Sequence, residues 1–209
     1  FRQVIEWAQT WKARLVYAST AGLYGNGPTP MSEDQPKECL TAYGRSKLKM
    51  DEMAQALFGK MAIVGLRYFN VFGPREAHKG RPASMVLHLY RQMKEGKRPR
   101  VFQWGEHKRD LIYVKDVVTA NLKALEAPSG VYNVGTGVGS SFNDLIQVLN
   151  EVLKTQLSPE YFEMPFESAT YQANTQADIR LSEERLDFKF AWPLKPAVAD
   201  YVHWIEANH

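Results

Sequence analysis

The stretch "AYGRSK" (residues 42–47) sets a phenol, Tyr43, and an ammonium, Lys47, four positions apart. That spacing brings two side chains onto one face if the segment is helical. A free tyrosine, with a pKa of about 10, is a poor base precursor near neutrality, and a neighbouring ammonium favours its phenolate. Such a phenolate can take the proton of a substrate alcohol as hydride leaves the same carbon, while a nearby hydroxyl holds the alcohol oxygen. Ser19 and Thr20 supply two candidate hydroxyls upstream. Hydride needs an acceptor, which implies a nicotinamide cofactor. Alone, the Tyr-x-x-x-Lys pair fits a solvated amphipathic helix equally well.

For these groups to meet, a strand must deliver the hydroxyls and a helix the phenol and the ammonium. "RLVYAS" (14–19) is a short apolar run with β-branched and aromatic residues, ending in small polar ones, and reads as a buried strand. A loop rich in glycine and proline follows, and 42–59 has the pattern of a helix. If the two lie side by side in a parallel sheet, hydroxyl, phenol and ammonium converge at its carboxyl edge, where ligands of such sheets sit. The same alternation continues. Helix is expected at the start (Val4, Ile5, Ala8, Trp11), over 82–97 and over 141–154, where Ser141 and Asp144 look like a capped start. Strand is expected over 61–74, turning irregular at Asn70, over 100–105 and over 130–137, while 109–127 reads as a strand leading into a helix. The last segment, 155–209, mixes short extended pieces with helices. Strands alternating with helices argue for an α/β protein with a parallel sheet.

The 209 residues carry a net charge of only +3, too little for the electrostatic footprint of a nucleic-acid binder. The basic stretch "KEGKRPR" (94–100) reads as an exposed helix end and turn, with a phosphate contact as the alternative. A single cysteine, Cys39, excludes an intrachain disulfide and a multi-cysteine metal site, and no base lies near it in sequence to activate it. No metal site is expected, and the cysteine usage fits a reducing compartment. No run approaches the roughly 20 apolar residues of a membrane span. The chain opens without a methionine, inside a helical pattern, so a preceding segment is expected.

Five segments, "STAGLYG" (19–25), "YGRSK" (43–47), "RYFNVFGPRE" (67–76), "RDLIYVKDV" (109–117) and "YNVGTG" (132–137), follow one another in an order and spacing that resembles the extended short-chain dehydrogenase/reductase family of nucleotide-sugar epimerases and dehydratases. Within it, "RYFNVFGPREAHKGRPAS" (67–84) and "ESATYQANTQADI" (167–179) are similar to the branch that epimerises C6 of an ADP-heptose. The resemblance implies a Rossmann-like doubly wound parallel sheet with a smaller α/β substrate-binding part. Residues 1–69 and 110–138 would belong to the NADP-binding portion, and 70–109 and 139–209 mainly to the substrate-binding portion. The chain matches roughly the C-terminal two-thirds of such an enzyme. The family's Gly-x-x-Gly-x-x-Gly turn and the position that selects NADP over NAD are not among these residues, so NAD stays open as the alternative cofactor.

Position by position, the resemblance makes Thr20 the catalytic hydroxyl, Tyr43 the catalytic tyrosine and Lys47 the lysine that binds the nicotinamide ribose and tunes it. Lys79 becomes a second acid/base. Ser19 and Val71, with Tyr43 and Lys47, would contact the cofactor. Thr20, Asn70, Arg81, His88, Phe102, Gln103, Trp104, Arg109 and Tyr171 would contact the nucleotide sugar. Arg81 and Pro82 stand where the family more often has Ser-Met, and Gln103 and Trp104 are unusual at their positions. Without the family, Arg109 reads equally as a surface ion-pair residue, His88 as a structural histidine, and Trp104 and Tyr171 as core aromatics. Asp110 and Asp116 are read as structural, one fixing a strand and the other capping the next helix. A homo-oligomer, with a pentamer as the precedent, a cytoplasmic location and supply of heptose for lipopolysaccharide core also follow from the resemblance alone. The competing readings are another nucleotide-sugar 4-epimerase or 4,6-dehydratase, and a non-catalytic cofactor-binding homologue.

Overall fold

The computed structural model describes residues 1–164 and 171–208. In chain order its first elements are α1 (Arg2–Thr10), β1 (Leu15–Thr20), α2 (Ala42–Gln55), β2 (Ile63–Tyr68), β3 (Asn70–Phe72), α3 (Met85–Lys94) and β4 (Arg100–Phe102). There follow β5 (Lys108–Tyr113), α4 (Val114–Ala124), β6 (Gly130–Val134), β7 (Gly139–Ser141), α5 (Phe142–Leu153), β8 (Glu160–Phe162), α6 (Arg180–Arg185) and α7 (Leu194–Ala207).

A parallel sheet in the order β1-β2-β6 carries the expected α/β character, with Tyr17 opposite Gly65 and Gly65 opposite Val131. Successive residues of a strand point to opposite faces, and β2 is apolar on both. Ile63 packs with Ile5 of α1, Tyr17 of β1 and Ala54 of α2, whereas Val64 and Leu66 pack with Val117, Ala120 and Ala124 of α4. Helices therefore cover both faces, as a buried parallel sheet requires. Gly65 is the one place where β2 must be bare: a Cβ there would stand 2.5 Å from the Tyr17 hydroxyl, whose ring lies across the strand.

The segment 61–74, expected as a strand turning irregular at Asn70, is two strands in different sheets, with the break at Phe69 and Asn70 starting the second. The chain turns at buried Phe69, and β3 pairs parallel with β5, which pairs antiparallel with β7. A second core lies there, built from Phe72, Leu87, Leu145, Leu149, Val198 and Tyr201 of β3, α3, α5 and α7. β4 and β8 form a separate parallel pair. Of the expected strand over 100–105 only Arg100–Phe102 forms, because the chain turns at Trp104, whose φ is 58°.

Helix ends differ from the expected bounds for local reasons. α2 stops at Gln55, and 56–61 tightens into turns with bonds such as Leu57 N–H to Ala54 C=O. α3 starts only after Ser84, whose hydroxyl accepts from Leu87 N–H, and ends before Gly96 at φ 72°. α5 has the expected capping box of Ser141 and Asp144. Asp116 caps nothing: its carboxylate accepts from the backbone of Ala191 and Trp192, so it ties down the segment before α7. Asp110 is structural as expected, accepting from Thr136 N–H and Oγ1, Gly137 N–H and Ala177 N–H.

Candidate active site

Thr20 ends β1, and its Oγ1 accepts from Gly22 N–H at 3.1 Å, turning the chain into a short 3-10 helix at Ala21–Leu23. That bond occupies a lone pair and leaves the O–H free to donate. α2 begins at the same edge, capped by Thr41, whose Oγ1 accepts from Gly44 N–H at 3.0 Å. Gly44 lets the two segments touch: a Cβ on it would stand 3.0 Å from the Gly22 carbonyl oxygen. The glycine inside "AYGRSK" is thus what brings the first turn of α2 against the turn that Thr20 caps. Tyr43 is 58% exposed there. Lys47 crosses to β1, its Nζ donating to Ala18 C=O at 2.8 Å while standing 5.7 Å from the centre of the Tyr43 ring. Ser19 is buried, and its Oγ has no hydrogen-bond partner among the described residues.

Sequence reading missed what holds this edge. Arg67 of β2 and Asp51 of α2 form a buried ion pair, and Asp51 also accepts from the Tyr17 hydroxyl at 3.0 Å. Arg67 donates onward to the Tyr24 hydroxyl at 2.8 Å and to Glu33 C=O at 3.0 Å. Tyr24 in turn donates to Asn133 Oδ1 at 2.7 Å. Burial pushes the Tyr17 and Tyr24 hydroxyls far above the usual tyrosine range, so both stay protonated donors. An arginine in the middle of an apolar strand was the available signal. Its partner, sixteen residues away on a helix, was not readable.

Lys79 lies on a different element, a 3-10 turn at Ala77–Lys79 between β3 and α3. With Val71, Gly73, Pro74, Arg75 and Val114 it lines a small cleft beside the end of β3. No hydrogen bond or ion pair engages its ammonium among the described residues. Asn70 Oδ1 accepts from Thr175 Oγ1 at 2.9 Å, and exposed Arg81 is tethered through its carbonyl to His88 Nε2 at 3.2 Å.

The remaining expected substrate contacts gather on the α3, β4 and β8 side. His88 and Phe102, with Met85, Gln92, Arg98 and Phe162, line a cleft of about 780 Å³. Around Phe102 an aromatic cluster contains His107, Phe142 and Tyr171. The Arg109 guanidinium stands 4.8 Å over the Tyr171 ring, hydrogen-bonds its hydroxyl, and donates from Nη1 to Lys108 C=O and Ala173 C=O at 2.8 Å. It is thus not a surface ion-pair residue. Burial, and then Arg109, push the His107 imidazole below its usual range, so it is neutral at pH 7. Trp104 stands apart from this cluster, 72% exposed and edge-on to Tyr161 at 5.8 Å. The side chain of Gln103 lies outside the described residues. Cys39 gives its thiol to Leu23 C=O and is pushed upward by burial, which suits a packing role. In "KEGKRPR", Lys94 pairs with Glu206, Lys97 with Glu95 and Arg100 with Glu160, so most of that charge is already partnered. Among the described residues there is no metal-binding cluster and no helix long and apolar enough to cross a membrane.

The chain is similar to known proteins over nearly its whole length. It is 43% identical to an ADP-L-glycero-D-manno-heptose-6-epimerase of Brachyspira hyodysenteriae, over 81% of this chain and 56% of that protein. The crystal structure of the Helicobacter pylori ADP-L-glycero-D-manno-heptose-6-epimerase superposes with a TM-score of 0.92 at 38% identity, covering 99% of this chain and 64% of that one. A Bacillus cereus UDP-glucuronic acid 4-epimerase, solved with UDP-glucuronic acid and NAD, gives a TM-score of 0.86 at 26% identity, over 100% of this chain and 66% of that one. The chain therefore spans little more than half the length of its B. hyodysenteriae relative and under two-thirds of the H. pylori chain. Residues 1–135 match the family model described as NAD dependent epimerase/dehydratase, and the chain belongs to that family.

Proposed function

We propose that the protein carrying this chain inverts C6 of ADP-D-glycero-D-manno-heptose, giving the L-glycero epimer, by transient oxidation and re-reduction. The observation that carries the reading is the pair of separately mounted proton-transfer groups, Tyr43 on α2 and an unengaged Lys79 beside Val71 on the β3–α3 connection. It is supported by the similarity to ADP-heptose epimerases at about two-fifths identity. Inversion passes through a C6 ketone, and the C6 oxygen lies on opposite sides in substrate and product. Unless the sugar turns in the site, one fixed acid/base does not easily serve both positions. Tyr43 therefore moves the proton on O6 in one orientation and Lys79 in the other, while the free Thr20 O–H holds O6 on the Tyr43 side. Lys47, anchored on Ala18 C=O, stands beside the Tyr43 ring, where it would hold the nicotinamide ribose.

A nicotinamide dinucleotide supplies the hydride acceptor and donor when bound. The residues present fit one: the unpartnered, buried Ser19 hydroxyl at the carboxyl end of β1, Lys47, Tyr43, and Val71 in the cleft beside β3 are the groups that would hold its nicotinamide end. NADP is the proposed form. Residues 1–69 and 110–138 would carry that cofactor. Residues 70–109 and 139–209 would carry the sugar nucleotide, with Asn70 and Arg81 near the heptose and Arg109 matching a diphosphate. His88 and Phe102 of the cleft of about 780 Å³, with Tyr171 beside Phe102, would contact the base or sugar, and Gln103 and Trp104 are proposed as further contacts from the resemblance. The reading extends to a homo-oligomer, with a pentamer as the precedent, acting in the cytoplasm on the route to lipopolysaccharide core. The test is turnover by the intact native polypeptide. ADP-D-glycero-D-manno-heptose should be epimerised and UDP-galactose left unchanged; the opposite preference would establish a 4-epimerase instead.

A further inference from the structure

Glu76 is buried, 4% exposed, on the connection that bears Lys79, yet it contacts neither Lys79 nor any other cation among the described residues. Its carboxylate instead joins the two ends of that connection. Oε1 accepts from Gly73 N–H at 3.4 Å and from Ser84 Oγ at 2.7 Å, and Oε2 accepts from Ser84 N–H at 2.7 Å. The Tyr201 hydroxyl of α7 bonds to it as well. Ser84 donates its proton to Glu76 while its oxygen caps α3 by accepting from Leu87 N–H, so the clamp is continuous with the start of that helix.

The backbone of the loop so closed includes Arg75 at φ 70°, a left-handed conformation that a non-glycine residue keeps when surrounding bonds over-determine it. Lys79 has no side-chain partner among the described residues and is placed by the backbone, its N–H bonded to Glu76 C=O at 3.0 Å. We propose that Glu76 is a positioning residue that fixes Lys79, by tying Gly73 to Ser84, for proton transfer on the face of the substrate that Tyr43 does not serve. This rests on the reading of Lys79 as a second acid/base. The glutamate acts through the loop, so its effect on proton transfer falls on the Lys79 half of the reaction, and Arg81, on the same loop, shares it as a change in binding.

The test uses the intact native polypeptide with its cofactor. In Glu76→Gln, epimerisation should fall roughly a hundredfold, as misplacement of a reacting group costs. Substrate-driven reduction of the bound cofactor by the epimer whose O6 meets Tyr43 should stay within about twofold, while KM should rise modestly because Arg81 shares the loop. Amide exchange should rise over 73–84 and stay unchanged in α2. Ser84→Ala, which keeps the carboxylate and removes one donor, should show the same split more weakly and serves if Glu76→Gln does not fold. A parallel fall of epimerisation and cofactor reduction in these variants, or no fall, would overturn the proposal. Lys79→Met separates the two levels: wild-type turnover there removes the two-base reading itself, whereas loss of epimerisation there with Glu76→Gln unaffected removes only the role of Glu76.

Discussion

Arg67 Nε donates to Asp51 Oδ2 at 2.9 Å with both side chains 1% exposed, and through this pair the tyrosine-bearing helix is fastened to the central strand. The same guanidinium holds Tyr24, which directly follows the turn capped by Thr20. One buried charge thus ties together the two segments that carry the hydroxyl and the phenol. Such a pair gains little net stability over apolar residues of similar volume, but stranding one member is costly. Arg67→Met alone should destabilise the protein by about 3–5 kcal/mol in urea unfolding, and Arg67→Met with Asp51→Leu should recover most of that. The double variant should still turn over poorly, because its hydrogen bonds to Tyr24 and Tyr17 are gone. A single variant costing less than about 1 kcal/mol would contradict this.

Tyr43→Phe and Thr20→Val should both lower turnover by about two to four orders of magnitude, as loss of a proton-transfer or oxygen-holding group does. They should differ in stability. Tyr43 is more than half exposed, so its change should stay within about 0.5 kcal/mol. Thr20 also caps the 21–23 turn, and its loss should cost about 1 kcal/mol. Equal destabilisation in thermal unfolding would show that the cap contributes nothing.

Burial, reinforced by the nearby Arg67 guanidinium, lowers the Lys37 ammonium to about 8. The unfolded chain then binds the proton more tightly than the folded one, so stability should rise from about pH 8 toward pH 10. Above that range the folded state keeps protons on Tyr17 and Tyr24 that the unfolded chain releases, and the trend should reverse. Lys37→Met should abolish the rise and leave the reversal. Identical pH profiles for the two proteins, measured by denaturant unfolding, would refute the assignment to Lys37.

Arg109→Lys keeps the charge but loses the guanidinium over the Tyr171 ring and the Nη1 that donates to two carbonyls. KM for the sugar nucleotide should rise about tenfold or more, with cofactor content unchanged. An unchanged KM would mean that Arg109 only braces the loop before Thr175.

The parts of the candidate site that were legible are local: a β-branched run ending in Ser19 and Thr20 and a four-residue Tyr–Lys spacing each announce themselves within one element, as does the Ser141–Asp144 box, whereas the threonine caps on Gly22 and Gly44 were not read. A break near Asn70 was legible in "IVGLRYFNVF", but that the chain resumes as a strand in another sheet was not, since only pairing with β6 and with β5 decides where β2 stops and β3 starts. Asp116 misled for a related reason. A carboxylate in the first turn of a helix looks like a helix-end residue whether it serves its own backbone or, as here, that of Ala191 and Trp192. Arg67 and Glu76 lie inside a quoted motif, but their work is done with partners on other elements, and spacing carries no trace of those.

Transient oxidation at C6 requires that the hydrogen leaving that carbon return to the same carbon on the other face. ADP-D-glycero-D-manno-heptose deuterated at C6 should therefore be converted by the intact native polypeptide to the L-glycero epimer with its deuterium retained, as read by proton NMR of the product. Inversion accompanied by exchange of the deuterium with solvent, or no inversion at C6 at all, would contradict the proposed chemistry of Tyr43 and Lys79.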